Sequence, residues 1–235
     1  MELRHLGAAM DMSETPQLID RRSGPYGEVA LRRRGECFEI IANGCFLMDS
    51  SDGRSERLLV SAAIAALPQP SGARLLVGGL GIGFSLAEAC GDPRPARITV
   101  VEREQAVIDW HTQGAAPLRH LAGTGHSDPR VRIIQDDLLR HVRTTSERYD
   151  VACLDIDNGP DWTVTDDNRG VYEPAGLAAF ERVLADDGIL AIWSAARAPE
   201  LEERLATRFT SVRTLEVPVL PDRRGEPDVV ILAAR

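Results

Sequence analysis

From Arg74 onward, short apolar segments alternate with amphipathic ones, and the first junction between them is built of glycines. Leu75-Leu76-Val77 is an apolar strand, Gly78-Gly79-Leu80-Gly81-Ile82-Gly83 follows at once, and Phe84 opens the helical segment FSLAEAC. A strand that turns into a helix through glycines brings backbone amides and a helix N-terminus to one point with no side chain in the way. A ligand can then approach the main chain. The alternation continues with strands RITVVE, RVRIIQ, YDVACLDI and ILAIWSA. Between and after them lie helices REQAVIDWHTQ, DLLRHVR, PAGLAAFERVLA and APELEERLATRF, and Asp186-Asp187-Gly188 is expected to turn into ILAIWSA. Short apolar strands between helices predict an α/β fold with a parallel sheet covered on both faces. The last two strands, SVRTLEVPVL and DVVILAA, are joined by PDRRGEP. That link is too short for a crossover helix, so this pair is expected to be antiparallel.

The first part of the chain has a different grammar. Residues 1–24 are polar, carry Pro16 and Gly24, and are expected to form a loose lead-in. Residues 27–48 suggest two or three strands, with Asn43-Gly44 as a type I′ hairpin turn. Leu58, Leu59, Ala62, Ala63, Ala66 and Leu67 recur at helical spacing, and Pro68 and Pro70 then break the chain. The expected division is a β-hairpin region with a linking helix at 1–67 and the cofactor-binding unit at 68–235.

Acids stand at the ends of the expected parallel strands, where open α/β sheets bind ligands. Glu102 ends the second strand and can accept both ribose hydroxyls of an adenosine, although an acid there also serves as a solvated cap. Asp136 and Asp137 follow the third and can accept from an adenine amino group or cap the next helix. Asp155 and Asp157 end the fourth, in LDIDNGPDW. Gly78, Gly79, Gly81 and Gly83 complete a nucleoside-cofactor site. The third glycine of a dinucleotide fingerprint is replaced by Phe84, so the spacing favours S-adenosylmethionine or a close derivative over NAD. Trp162 and Tyr172 could wall a cationic group by cation–π contact, or serve as apolar packing. Arg32-Arg33-Arg34 reads as a turn or solvated strand end, or as a contact for a carboxylate-bearing substrate.

Composition removes several functions. All 27 basic residues are arginine. Without lysine there is no Walker A loop, no pyridoxal Schiff base and no lysine nucleophile. The net charge of -9 argues against a nucleic-acid or anionic-membrane surface. No apolar run is long enough to span a bilayer and the N-terminus lacks a signal-peptide core, so a cytoplasmic location is expected. Cys37, Cys45, Cys90 and Cys153 form no C-x-x-C pair and the five histidines are scattered, so no metal site is expected. Cys37 and Cys45 could face each other across a hairpin, as reduced thiols.

The ordered set NGCFLMDSSDGRSERLL, LLVGGLGIGFSL, VVERE, IIQDDLLRHV, YDVACLDIDNGPDW and RGVYEPAGLAAFERVLADDGILAIWS resembles the spermidine synthase superfamily, within the S-adenosylmethionine-dependent methyltransferase fold. The resemblance implies a Rossmann-like, mostly parallel seven-stranded sheet with an antiparallel C-terminal strand, preceded by a small β domain, in a homodimer. It implies transfer of an aminopropyl group from decarboxylated S-adenosylmethionine to an amine, with Asp155 or Asp157 taking the amine's proton. Glu56, Asn158, Trp162 and Tyr172 would contact the acceptor. The family's glycine motif carries an acid that meets the aminopropyl amine; here Leu80-Gly81 stands instead. That loss favours intact S-adenosylmethionine as the bound species and leaves methyl and aminopropyl transfer both open. The alternatives are a nucleoside-binding homologue without catalysis and, more distantly, an NAD-linked enzyme.

Overall fold

The computed structural model describes residues 15–156, 159, 168–220 and 226–235. Four strands come first: β1 (Gln17–Gly24), β2 (Gly27–Arg34), β3 (Cys37–Ala42) and β4 (Cys45–Asp49). They form an antiparallel sheet in sequence order. Asn43 and Gly44 have φ of 52° and 79°, so the expected two-residue turn joins β3 to β4. The register sets Cys45 opposite Ala42. Cys37, at the far end of β3, therefore does not face Cys45, and none of the four cysteines is in a disulfide.

Helix α1 (Arg54–Ala66) follows, then β5 (Ala73–Gly78), α2 (Phe84–Gly91), β6 (Pro95–Glu102), α3 (Gln105–Thr112), β7 (Val131–Gln135), α4 (Leu138–Thr144) and β8 (Tyr149–Leu154). The chain ends with α5 (Arg169–Tyr172), α6 (Pro174–Val183), β9 (Leu184–Ser194), α7 (Pro199–Ala206), β10 (Ser211–Val217) and β11 (Asp228–Ala234). The seven later strands form one sheet in the order β10-β11-β9-β8-β5-β6-β7. Neighbours from β9 to β7 run parallel, whereas β11 is antiparallel to both β9 and β10. This is the mostly parallel seven-stranded α/β sheet with a small antiparallel β sheet before it.

Side-chain alternation along the strands divides the core in two. Leu75, Val77, Val151, Cys153, Val230 and Leu232 face α1, α2 and α3, while Leu76, Ala152, Leu154, Val229 and Ile231 face α4, α6 and α7. Val29, Leu31 and Ile40 of the small sheet join the first layer, which fastens that sheet over one side of the large one. Helix α1 itself lies against α2, β8, β9 and β11.

Two expectations need correction. Residues 17–24 are a strand, not a loose lead-in; β1 pairs with β2 along its length. Asp186-Asp187-Gly188 lies within β9. The register jumps there from Tyr149↔Leu184 to Val151↔Ile189, and Asp187 has φ of 60°. The turn chemistry survives as an excursion inside the strand rather than as its start. Among the described residues, no helix is long and apolar enough to cross a membrane.

β1 is anchored beyond its ladder. Asp20 Oδ2 accepts from Trp110 Nε1 at 2.9 Å, and Arg22 pairs with both Asp20 and Asp109. The Trp110 hydrogen bond comes first among the causes that hold the Asp20 carboxyl below its usual range. Asp20→Ala strands the indole N–H of a buried tryptophan and should cost about 1–3 kcal/mol. Deleting residues 1–24 should cost more. Equilibrium denaturation reads both, and a deletion as stable as the full chain would show that β1 is dispensable.

Candidate active site

Strand β5 lies at the switch point of the large sheet, with β6 on one side and β8 on the other. The chain leaves it through the glycine loop. Gly79 N–H donates to the Val101 carbonyl and Asp155 N–H to the Gly78 carbonyl, both at 2.9 Å. Gly79 has φ of +92°, and a Cβ there would lie 2.0 Å from the Asp155 carbonyl oxygen. Only glycine lets β5 and the end of β8 come this close. Leu80 and Ile82 are buried, so the loop turns its apolar side chains inward and offers backbone outward.

In front of the loop is a cavity of about 270 Å³. Gly79, Gly81, Glu102, Asp136, Asp137, Asp155 and Glu56 line it, together with Val101, Leu138 and Ile156. The small sheet closes it with Ile40, Phe46, Leu47 and Met48. The structure thus brings Glu56 from α1 to the same space as the strand-end acids. Gly78 and Gly83, expected to bind cofactor, do not line it. Gly78 packs against Leu138, where a Cβ would meet the side chain at 2.3 Å, and Gly83 is the N-cap of α2 at φ of +103°. Tyr172, expected to wall the acceptor, is buried in the opposite core layer, and its neighbour Val171 lines the cavity instead. Asp157, Asn158 and Trp162 lie outside the described residues.

Each acid is held differently. Glu102 is buried; its Oε2 accepts from Leu80 N–H at 2.9 Å and its Oε1 from Glu104 N–H at 2.8 Å. Burial raises its pKa against the pull of these amides. Asp137 caps α4 through Oδ1, which accepts from Arg140 N–H at 2.7 Å. Asp136 pairs with the Arg140 guanidinium. Asp155 follows the end of β8, and its Oδ2 accepts from the Ser85 hydroxyl at 2.9 Å. Burial pushes its pKa up to about 6, with the Ser85 hydrogen bond opposing and the Glu102 charge adding. Burial first, then the charge on Asp155, pushes Glu56 up to about 8. Burial and mutual repulsion thus push both carboxyls of this coupled pair upward, Glu56 the further.

Four further acids in the lining, Asp49, Asp52, Glu104 and Asp228, escaped the sequence reading. Asp228 was findable. Because β11 runs antiparallel, its first residue falls at the same edge of the sheet as the carboxyl ends of the parallel strands. Trp193, next to last in β9, lines the same end. Of the described lining residues, nine are acids and one, Arg103, is a base. Arg103 stacks on Tyr26 at 4.8 Å, donates to Asn168 Oδ1 at 3.1 Å and lies 3.5 Å from Glu104.

A family profile described as "Spermine/spermidine synthase domain" matches residues 56–213. The chain belongs to the spermine/spermidine synthase family. A relative in Pseudomonas aeruginosa, "Polyamine aminopropyltransferase 1", is 33% identical over 150 residues, 60% of this chain and 46% of that protein. "Polyamine aminopropyltransferase 2" of Ralstonia nicotianae is 25% identical over 177 residues, 75% of this chain and 33% of that protein. The chain thus matches less than half the length of either. Among solved structures, a spermidine synthase in complex with the transition-state analogue AdoDATO is similar with a TM-score of 0.72, and spermidine synthase from Thermotoga maritima with 0.73. Each is 16% identical; the match covers 93% of this chain and 72% of the other, and shows the shared fold. Glu56 is the first residue of the family match, while Asp49, Asp52 and Asp228 lie outside it.

Gly79→Ala combines a left-handed backbone with a clash against main chain. It should cost at least about 2 kcal/mol, whereas Gly91→Ala, with open space around its Cβ, should cost little; denaturant midpoints compare them. The Glu56 carboxyl has a folded pKa above its ordinary value of 4.5. Its contribution is therefore fully present below that value and lost as pH rises towards about 8. Glu56→Gln should gain stability relative to wild type between pH 5 and pH 8.5, by about 1–3 kcal/mol. A pH-independent difference would contradict the raised pKa.

Proposed function

We propose that this chain transfers an aminopropyl group from decarboxylated S-adenosylmethionine to a small amine, with Asp155 as general base. The observation that carries the proposal is one cavity joining a nucleoside end, around Glu102, Asp136 and Asp137, to an acidic end at Glu56 and Asp155. The names of the relatives, polyamine aminopropyltransferases and spermidine synthases, support it.

The chemistry asks little of the protein beyond placement. A sulfonium activates the carbon next to it. The lone pair of an uncharged amine attacks that carbon, the carbon–sulfur bond breaks, and its electrons return to sulfur, leaving methylthioadenosine. The positive charge passes from sulfur to the new secondary amine, which leaves protonated. An amine enters protonated at neutral pH, and a base ionised above about pH 6 can take its proton before attack. Glu102 would accept the ribose hydroxyls and Asp136 or Asp137 the adenine amino group. Glu56, its pKa raised in the empty site, would ionise more readily as a cation enters.

The glycine loop alone favours intact S-adenosylmethionine, because it lacks an acid for the aminopropyl amine. The whole cavity favours the decarboxylated donor. Intact donor brings a carboxylate, which needs a cation, and Arg103 is the base among the described lining residues, engaged with Tyr26, Asn168 and Glu104. Acids at Glu56, Asp49 and Asp52 supply what the loop lacks. We further propose a cytoplasmic homodimer, as the family resemblance implies; light scattering on the purified chain tests the oligomeric state.

Calorimetry should show micromolar methylthioadenosine binding, weakened by about 1–3 kcal/mol in Glu102→Ala. Decarboxylated S-adenosylmethionine should bind at least tenfold more tightly than the intact compound, about 1.4 kcal/mol; the reverse order would overturn the donor assignment. With di- and polyamine acceptors, Asp155→Asn should lower turnover at least about 100-fold while leaving donor affinity within threefold. Donor binding with no turnover on any amine would favour a nucleoside-binding protein without catalysis.

A further inference from the structure

Behind the glycine loop, on the side away from the cavity, stands a histidine that none of the proposed chemistry uses. His111 is the penultimate residue of α3 and is 2% exposed. Its Nε2 lies 2.8 Å from the Gly81 carbonyl oxygen. A carbonyl only accepts, so Nε2 carries the hydrogen. Nδ1 is buried with no hydrogen-bond partner, and burial lowers the pKa of the ring. Both point to a neutral imidazole with a bare Nδ1. The ring packs against Gly83, and the end of its helix is closed by Arg119. A Cβ on Gly83 would come 2.8 Å from the ring's Cε1, and Arg119 donates to the His111 and Thr112 carbonyls at 3.1 and 2.8 Å.

The loop is thus clamped between two buried side chains. On the cavity side Glu102 accepts from Leu80 N–H, and the Gly81 N–H also acts on it. On the far side His111 holds the Gly81 carbonyl. Gly81 has φ of +46°, in the left-handed region, and its carbonyl direction sets which way the next peptide faces. The front half of the clamp is the half a ligand would compete for, because ribose hydroxyls donate to the same Glu102 oxygens.

We propose that His111 is a positioning residue for the glycine loop: its Nε2–H holds the Gly81 carbonyl away from the cavity, so that the loop keeps its shape when a nucleoside draws on Glu102. This rests on the nucleoside part of the proposed function and on no feature of the amine acceptor. Its expected signature is a loss of nucleoside affinity with little change in the KM for amine, reversed by a side chain that restores a donor.

Two measurements test it. In the full wild-type chain, imidazole 15N shifts at neutral pH should show His111 neutral and protonated at Nε2. An Nδ1–H tautomer would overturn the proposal with no variant needed. Calorimetry with methylthioadenosine should then show His111→Leu binding at least tenfold more weakly than wild type. His111→Gln, whose side-chain amide can reach the same carbonyl, should recover to within threefold. Leu binding as wild type does, or Leu and Gln losing affinity equally, would sink the proposal while the nucleoside assignment stands. A wild-type chain that binds no methylthioadenosine would sink the nucleoside assignment and the role for His111 with it, whatever the tautomer.

Discussion

Burying several carboxyl groups against one another is costly, and the carboxyl edge of the large sheet is organised around offsetting that cost. Glu102 is offset by two backbone amides, Asp155 by the Ser85 hydroxyl, and Glu56 by the Ser55 hydroxyl together with a raised pKa. Each device needs a particular piece of local structure. The amide of Leu80 reaches Glu102 because glycines turn the chain there. Asp155 sits beside β5 because Gly79 has no Cβ. Ser85 reaches Asp155 because α2 starts at Phe84, directly after the loop. On the proposed reading, a cationic ligand completes this acidic edge. An amine entering beside Glu56 and Asp155 would lower the Glu56 pKa again and form a buried ion pair.

The small sheet contributes more than a lid. Ile40, Phe46, Leu47 and Met48 give the cavity an apolar wall facing the acids. Such a wall suits ligands with charged groups separated by methylene chains, since the chain packs where the charge does not. It also deepens the desolvation that raises the carboxyl pKa values. The small sheet can do this only because Val29, Leu31 and Ile40 are sunk into the same core as α1 and α2.

Much of this was legible in the sequence because it depends on short-range pattern. The glycine turn, the strand-end acids Glu102, Asp136, Asp137 and Asp155, and the antiparallel final pair follow from alternation and loop length. What was not legible depends on three-dimensional register. β1 is exposed on nearly every residue, so it carries no apolar alternation to mark it as a strand. Tyr172 and Val171 are adjacent on a helix of four residues, and sequence does not say which one faces the ligand. Asp228 reaches the site because β11 reverses direction. His111 looks like one of five scattered histidines until α3 packs against the loop. Only Gly79 and Gly81 among the expected glycines face the cavity, because the other two serve packing and capping.

The central claim is that burial and the neighbouring Asp155 raise the Glu56 pKa, and that a bound cation lowers it again. A titration of 13C-labelled carboxyl groups by NMR reads this directly, with Glu56→Gln assigning the resonance. The account predicts that Glu56 titrates near pH 8 in the free protein and at least about one unit lower with methylthioadenosine and a diamine bound. A Glu56 that titrates near the ordinary glutamate value of 4.5 in the free protein, unmoved by diamine, would contradict it.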